Sequence, residues 1–372
     1  MSTARNDAAI GRRVERLRAA LAEEGVDILL IDDEIDLRYL TGFTGSNGMA
    51  LVSADPRGPL HFLTDFRYTA QSLQEVGEAF ARQTVTGELY EALPGLLGGE
   101  PGRLGFDEAK LTVRGHARLA GVLGEGWELI RCKGLLEGLR AVKEPAEVAL
   151  IADACRLADE ALHETLEEGL LGRTERQVAF ELETRMRRMG AEAPSFPSIV
   201  AFGEHGALPH AQPRDREIPP DVLVTIDWGA VLNGYCSDCT RTYATGHSIS
   251  DRGREVYELV LAAQEASLAA VRPGRNGREI DAVARDMIDA AGEGANFGHG
   301  LGHGVGMEVH EAPRLSRTAG EEPLLEGNVV TVEPGVYLPG MLGVRIEDLV
   351  VVRSAGPEVL TTGLTKALSV IG

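Results

Sequence analysis

Four carboxylates lie inside apolar, strand-like stretches where an ionised side chain has little access to water. Asp227 ends the run 222–227 (VLVTID), and Asp238 falls in 235–242 (YCSDCTRT). Glu333 interrupts the run that begins at Val329, and Glu347 interrupts 344–352. A buried, unpaired carboxylate costs several kcal/mol, so each of these acids demands a partner. Asn233–Gly234 is a strong hairpin-turn signal between the first two stretches, which brings Asp238 within reach of Asp227. Two facing anions repel unless a cation lies between them. One such pair on its own is equally well a structural feature, and the second pair tips the reading towards metal. Four strand-borne acids match the charge of two divalent cations. Carboxylate-rich ligation with a single imidazole favours Mn²⁺, with Co²⁺ or Zn²⁺ tolerated.

Histidines supply the remaining chemistry. Six of the nine fall between positions 205 and 310, and His205, His210, His299, His303 and His310 are the candidates among them. The segment 296–314 (NFGHGLGHGVGMEVHEAPR) alternates glycine with histidine, so backbone can approach closely while imidazoles project. Its glycines do not form the dinucleotide fingerprint G-x-G-x-x-G in any frame. Cys236 and Cys239 form a lone C-x-x-C with no second pair, which does not support a zinc ribbon. Residues three apart on a strand point to opposite faces, so the two thiols read as spacers around Asp238, which shares its face with Thr240.

These residues need two kinds of scaffold. Residues 1–135 alternate helical and strand patterns and read as a smaller α/β domain, with strand runs at 26–31, 49–52, 60–64, 104–106 and 127–132. Residues 136–372 read as an α+β domain with antiparallel sheet. Pro145 opens a long helix to about 168, Thr174 with Gln177 caps the next, and Asn276 with Glu279 caps a helix that follows one at 255–271. Strand-rich stretches at 196–202, 223–244, 329–338 and 344–352 surround these helices, and two strand–helix–helix halves are related in pattern.

Composition removes competing roles. Acids outnumber bases, 57 to 37 over 372 residues, a net charge of −20 that opposes nucleic acid and anionic membranes. The surplus is uneven: residues 1–140 hold 21 acids and 16 bases, net −5, and the remainder 36 and 21, net −15. No apolar run approaches the roughly 20 residues that span a bilayer. The amino-terminal stretch reads as an amphipathic helix. Four cysteines make no disulfide framework, and a reducing cytoplasm is expected.

Together, DWGA with Asp227, SDCTRT with Asp238, GHGLGHGVG with His303, VEPGVY with Glu333 and VRIED with Glu347 resemble the pita-bread metallopeptidase family. That family includes methionine aminopeptidase, prolidase and Xaa-Pro aminopeptidase. The resemblance implies a carboxy-terminal pita-bread catalytic domain with a dinuclear metal centre on those five residues: Asp227 chelating, Asp238 and Glu347 bridging, His303 and Glu333 completing the two sites. It also implies that His210 (in LPHAQP), His299 and His310 surround the substrate and that Arg345 buttresses the bridging carboxylates. The first domain, through TGFTGSNG and LTDFRYTAQS, is similar to that of the proline-specific branch, where it limits access or supports a homodimer. Before LPH the chain reads Glu204–His205–Gly206 instead of the family's frequent Asn-Ser, and His205 is expected to be exposed.

The implied activity is hydrolysis of the Xaa-Pro bond at the amino terminus of peptides with proline second. A dipeptidase confined to Xaa-Pro dipeptides is the alternative. More remote are a scaffold that binds without catalysis and a metal-free enzyme acting on a small amidine such as creatine, and intact ligand positions argue against both.

Overall fold

The computed structural model describes residues 3–98 and 101–372, which form two compact units, one up to Arg140 and one from Ala141 onward. The first unit is built on a six-stranded sheet. Its spatial order is Ala81–Val85, Leu60–Asp65, Gly48–Ser53, Ile28–Ile31, Gly102–Asp107, Trp127–Cys132. Ile28–Ile31 pairs antiparallel with Gly48–Ser53 and parallel with Gly102–Asp107, so the sheet is mixed. Leu30, Met49, Leu51, Leu63 and Leu104 form part of its buried core. After Leu60–Asp65 the chain forms a 3₁₀ turn, Phe66–Tyr68, followed by the α-helix Thr69–Glu75, and Asp65 caps the turn by accepting from the Arg67 N–H.

The second unit consists of two similar halves, each a pair of helices laid on antiparallel strands. In one, Pro145–Glu167 and Glu175–Arg188 pack on Ile199–Phe202, Leu223–Trp228 and Cys239–Ala244 through a core containing Leu162, Leu182, Val224, Ile226 and Trp228. In the other, Asp251–Ala270 and Gly277–Ala290 pack on Val329–Val332, Gly335–Leu338, Leu342–Arg345 and Asp348–Val351. The capping boxes at Glu144/Glu147, Thr174/Gln177 and Asn276/Glu279 are all formed. The helix expected from 255 starts at Asp251, because Ser250 accepts from the Gly253 N–H and caps it a turn earlier. At the Asn233–Gly234 turn both residues have positive φ, 51° and 79°, the geometry a two-residue hairpin requires.

One glycine pair is set by close packing. The short strand Gly302–Gly304 lies between Glu311–Leu315 and Val329–Val332. A Cβ on Gly302 would meet the Thr331 carbonyl oxygen at 2.1 Å, and one on Gly304 the Ala312 carbonyl oxygen at 2.2 Å. Glycine therefore lets His303, between them, be presented from a strand held tightly on both sides. Among the described residues no helix is long and apolar enough to cross a membrane. The four cysteines are buried free thiols; Cys236 Sγ faces the Met307 carbonyl and Cys239 Sγ the Glu347 carbonyl.

Candidate metal centre

The strand ends and breaks of the two halves converge on one cluster. Asp227 sits near the end of Leu223–Trp228, opposite Thr240 in the register. Asp238 occupies the gap between Tyr235–Cys236 and Cys239–Ala244. Glu333 and Glu347 occupy the corresponding gaps, after Val329–Val332 and before Asp348–Val351. A strand break frees the side chain from the alternation that would otherwise bury it in the core or turn it to solvent. Ligand atoms of Asp227, Asp238 and Glu347 lie within 4.8 Å of one another. His303 Nε2 joins Glu333 to this group, 3.3 Å from Glu333 Oε1 and 3.6 Å from Asp238 Oδ2.

The protein alone compensates only part of this concentration of charge. Burial raises the pKa of Asp238 well above the usual carboxylate range, and repulsion from Glu347, Asp227 and Glu333 adds to it. Glu347 is raised in the same way, by burial and then by Glu333 and Asp227. Asp227 is raised by burial, with Arg345 opposing. Glu333 moves the other way, to about 2: burial pushes its pKa up, but the hydrogen bond and charge of His303 outweigh that. His303 is correspondingly raised, burial being overcome by Glu333.

Two observations show that these residues suit divalent cations. His303 Nδ1 lies 3.0 Å from the Gly304 carbonyl oxygen, which can only accept, so Nδ1 carries a proton and Nε2 is the nitrogen that presents a lone pair when the ring is neutral. That lone pair faces carboxylate oxygens, an arrangement that is repulsive until a cation or proton stands between them. Among the described residues Asp227 Oδ1 is buried and has no hydrogen-bond partner, while its other oxygen is bound by Arg345. An orphaned carboxylate oxygen at the centre of an acid cluster is the donor a hard cation requires.

A hydrogen-bonded frame surrounds the acids. Arg345 NH2 donates to Asp227 Oδ2 at 2.5 Å, its Nε to Thr240 Oγ1 at 3.0 Å, and its NH1 to Tyr337 Oη at 2.7 Å. Thr240 in turn donates to Glu347 Oε2 at 2.7 Å. The arginine thus holds Asp227 directly and reaches Glu347 through a threonine. His299 Nε2 lies 2.9 Å from Tyr337 Oη, and its Nδ1 is 2.7 Å from the Gly300 carbonyl. Burial lowers the pKa of His299. His310 is exposed with its ring centroid 4.3 Å from that of His303, and burial followed by the His303 charge lowers its pKa. His210 is exposed, and its charge contributes to lowering both His299 and His310.

His205 is not exposed, contrary to expectation. It is 8% accessible, and its Nδ1 lies 3.0 Å from Oε2 of Glu175, a fully buried carboxylate that also binds Arg214. The partner comes from a helix 30 positions away, so nothing near His205 in sequence announces it. Thr240 and Tyr337 were not among the residues expected to matter. Thr240 carries a readable signal, since strand alternation puts it on the face of Asp238. Tyr337, four residues past Glu333, carries none beyond its strand.

A family model described as metallopeptidase family M24 matches residues 149–354, and one described as the creatinase/prolidase N-terminal domain matches residues 13–142. The chain is 41% identical to peptidase YqhT of Bacillus subtilis over 94% of its own length and 97% of that protein's. Among solved structures it is similar to a Xaa-Pro dipeptidase from Bacillus anthracis, with 38% identity, a TM-score of 0.92 and coverage of 97% and 99% of the two chains. It is also similar to an X-Pro aminopeptidase from Thermotoga maritima, with 36% identity, a TM-score of 0.86 and coverage of 93% and 98%. The carboxylate cluster therefore lies in a pita-bread catalytic domain, and the chain belongs to metallopeptidase family M24, as a hydrolase that carries the creatinase/prolidase N-terminal domain ahead of its catalytic one.

Proposed function

We propose that the protein is an exopeptidase that hydrolyses the bond between an amino-terminal residue and a following proline. The observation that carries this is one carboxylate cluster that holds both the orphaned Asp227 Oδ1 and His303 Nε2, which faces Glu333 and Asp238. Asp227, Asp238, His303, Glu333 and Glu347 would hold two divalent cations, Mn²⁺ being favoured by the oxygen-rich donor set. Bound there, the cations supply positive charge that acidifies water and polarises a carbonyl.

The remaining work falls to the chain's own groups. Glu333 accepts a proton from the attacking water and delivers it to the proline nitrogen, which has no hydrogen of its own and must gain one to leave. His310 donates to the developing oxyanion. His210 shapes the pocket beside it, and Asp227 receives the substrate's free amino group, which limits cleavage to the first bond.

The aminopeptidase reading leaves the far side of the proline open. One observation favours the narrower dipeptidase reading: Arg314, on the strand Glu311–Leu315, is close enough for its charge to lower the pKa of His310. A cation there could accept the carboxylate of a dipeptide. Several similar proteins carry the name Xaa-Pro dipeptidase. The deciding experiment compares a Xaa-Pro dipeptide with a Xaa-Pro tripeptide in Mn²⁺ buffer. Efficient cleavage of both supports the aminopeptidase, and cleavage of the dipeptide alone supports the dipeptidase. Cleavage of neither sinks the Xaa-Pro assignment.

A further inference from the structure

The backbone that carries His299 is gripped by one ion pair on a neighbouring helix. Asp281 and Arg285 stand one turn apart on Gly277–Ala290, and their side chains form a two-pronged salt bridge, Nε to Oδ2 at 2.7 Å and NH2 to Oδ1 at 2.8 Å. Both side chains are largely withdrawn from water, at 1% and 13% accessible. The pair then reaches across to three main-chain groups that flank His299. Arg285 NH1 donates to the Phe297 carbonyl at 3.0 Å, and NH2 to the His299 carbonyl at 2.8 Å. Asp281 Oδ1 accepts the Leu301 N–H at 3.0 Å. The guanidinium also lies 4.2 Å over the Phe297 ring.

A segment with glycine at 298 and 300 has few means of holding itself. Glycine gains more from disorder than any other residue, so its conformation must be imposed from outside. The clamp imposes it at 297, 299 and 301. What it fixes is the direction of the His299 ring. With Nδ1 donating to the Gly300 carbonyl, Nε2 can only accept, so Tyr337 donates its hydroxyl proton to His299 and accepts from Arg345 NH1. Arg345 continues to Asp227. His299 is therefore the outer end of a hydrogen-bonded chain that terminates on a carboxylate of the cluster, and the clamp sets where that end stands.

We infer that Asp281 and Arg285 are positioning residues for the reaction, acting through His299 and the Tyr337–Arg345–Asp227 chain. This rests on the peptidase reading of the site. Neither residue needs to touch substrate. A misplacement of about 1 Å in such a frame costs on the order of a hundred-fold in rate.

The test is a double-mutant cycle on the full-length protein in saturating Mn²⁺, with a Xaa-Pro substrate. Arg285→Met should lower kcat by about ten- to a hundred-fold with KM little changed. His299→Ala should lower it by a similar factor, and the double variant should be little worse than His299→Ala alone. Arg285→Lys keeps the charge against Asp281 without the fork, and it should fall between wild type and Arg285→Met. It bears the test if the methionine variant does not fold. Hydrogen exchange over 297–303 should be faster in both Arg285 variants. The inference is overturned if Arg285 variants turn over like wild type, or if their loss multiplies with that of His299→Ala. Failure of the underlying reading looks different: no Xaa-Pro peptide is cleaved by the wild type, or His299→Ala is fully active while exchange over 297–303 still rises in the Arg285 variants.

Discussion

Arg345 holds Asp227 by one carboxylate oxygen only. NH2 donates to Oδ2 at 2.5 Å, and Oδ1 is left buried without a partner among the described residues. The arginine is itself 4% exposed and is fixed on its other edge by Tyr337 and Thr240. Asp227 therefore reaches the cluster pre-oriented, with its free oxygen available to a cation.

Arg345→Lys should weaken that orientation, because an ammonium cannot bind Asp227, Thr240 and Tyr337 at once as a planar fork does. The expected loss is about ten- to a hundred-fold in Mn²⁺ affinity or in kcat/KM. Calorimetric titration of metal into the stripped variant reads the first, steady-state kinetics the second. Unchanged values for both would show that the arginine serves stability alone.

Glu333→Ala should remove turnover almost completely while leaving the fold intact, since Glu333 sits in a break between strands, where its side chain meets Thr331 and His303. A proton-transfer residue contributes on the order of 10² to 10⁴ in rate. Circular dichroism checks the fold and product release by chromatography checks the activity. Appreciable turnover in this variant contradicts the role given to Glu333.

The metal-free protein should lose stability as pH rises, and metal should restore it. Asp238 and Glu347 have folded-state pKa values raised above their ordinary ones by burial and mutual repulsion. Between the ordinary and raised values the folded chain binds more protons than the unfolded one, so unfolding free energy falls with pH. The stabilising protonated form is complete below the ordinary carboxylate values and is lost as pH rises through the raised ones. Asp238→Asn, stripped of metal, should gain melting temperature over stripped wild type, increasingly from pH 5 to 8. If the two melt alike at every pH, the cluster is not the source.

Arg140→Met tests a buried pair in the first unit. Arg140 NH1 lies 2.5 Å from Asp36 Oδ1, with side chains 3% and 4% exposed. Burial raises Asp36 to about 6 in spite of the arginine's charge. Its contribution to stability is thus complete below the ordinary carboxylate value and declines as pH rises through about 6. Removing the arginine should cost about 3–5 kcal/mol at pH 8, where an unpaired anion is left, and less at pH 5, where Asp36 can take a proton. Urea unfolding at the two pH values measures the difference.

Asp227, Asp238, Glu333 and Glu347 were legible because strand sequence is intolerant of charge. An acid that interrupts a run of valines is conspicuous, and Asn233–Gly234 tells which two stretches fold back on each other. The helices were legible from their caps, as at Thr174/Gln177, whose hydrogen bonds span only three residues. Local chemistry of this kind needs no knowledge of the fold.

Partners far apart in sequence were not legible. His205 looked like a surface histidine until Glu175 was placed beside it. Tyr337 gained its meaning only from His299 and Arg345 on either side. Asp281 and Arg285 stand at ordinary helical i,i+4 spacing, and they bond the main chain of another segment. The amino-acid order alone determined the kinds of donor available, the strands and helices that carry them and the charge that had to be neutralised. Only the tertiary structure decided which oxygen of Asp227 stays free and which nitrogen of His303 faces the acids. Those choices depend on hydrogen bonds from Arg345 and Gly304 in three dimensions, and periodicity along a chain does not record them.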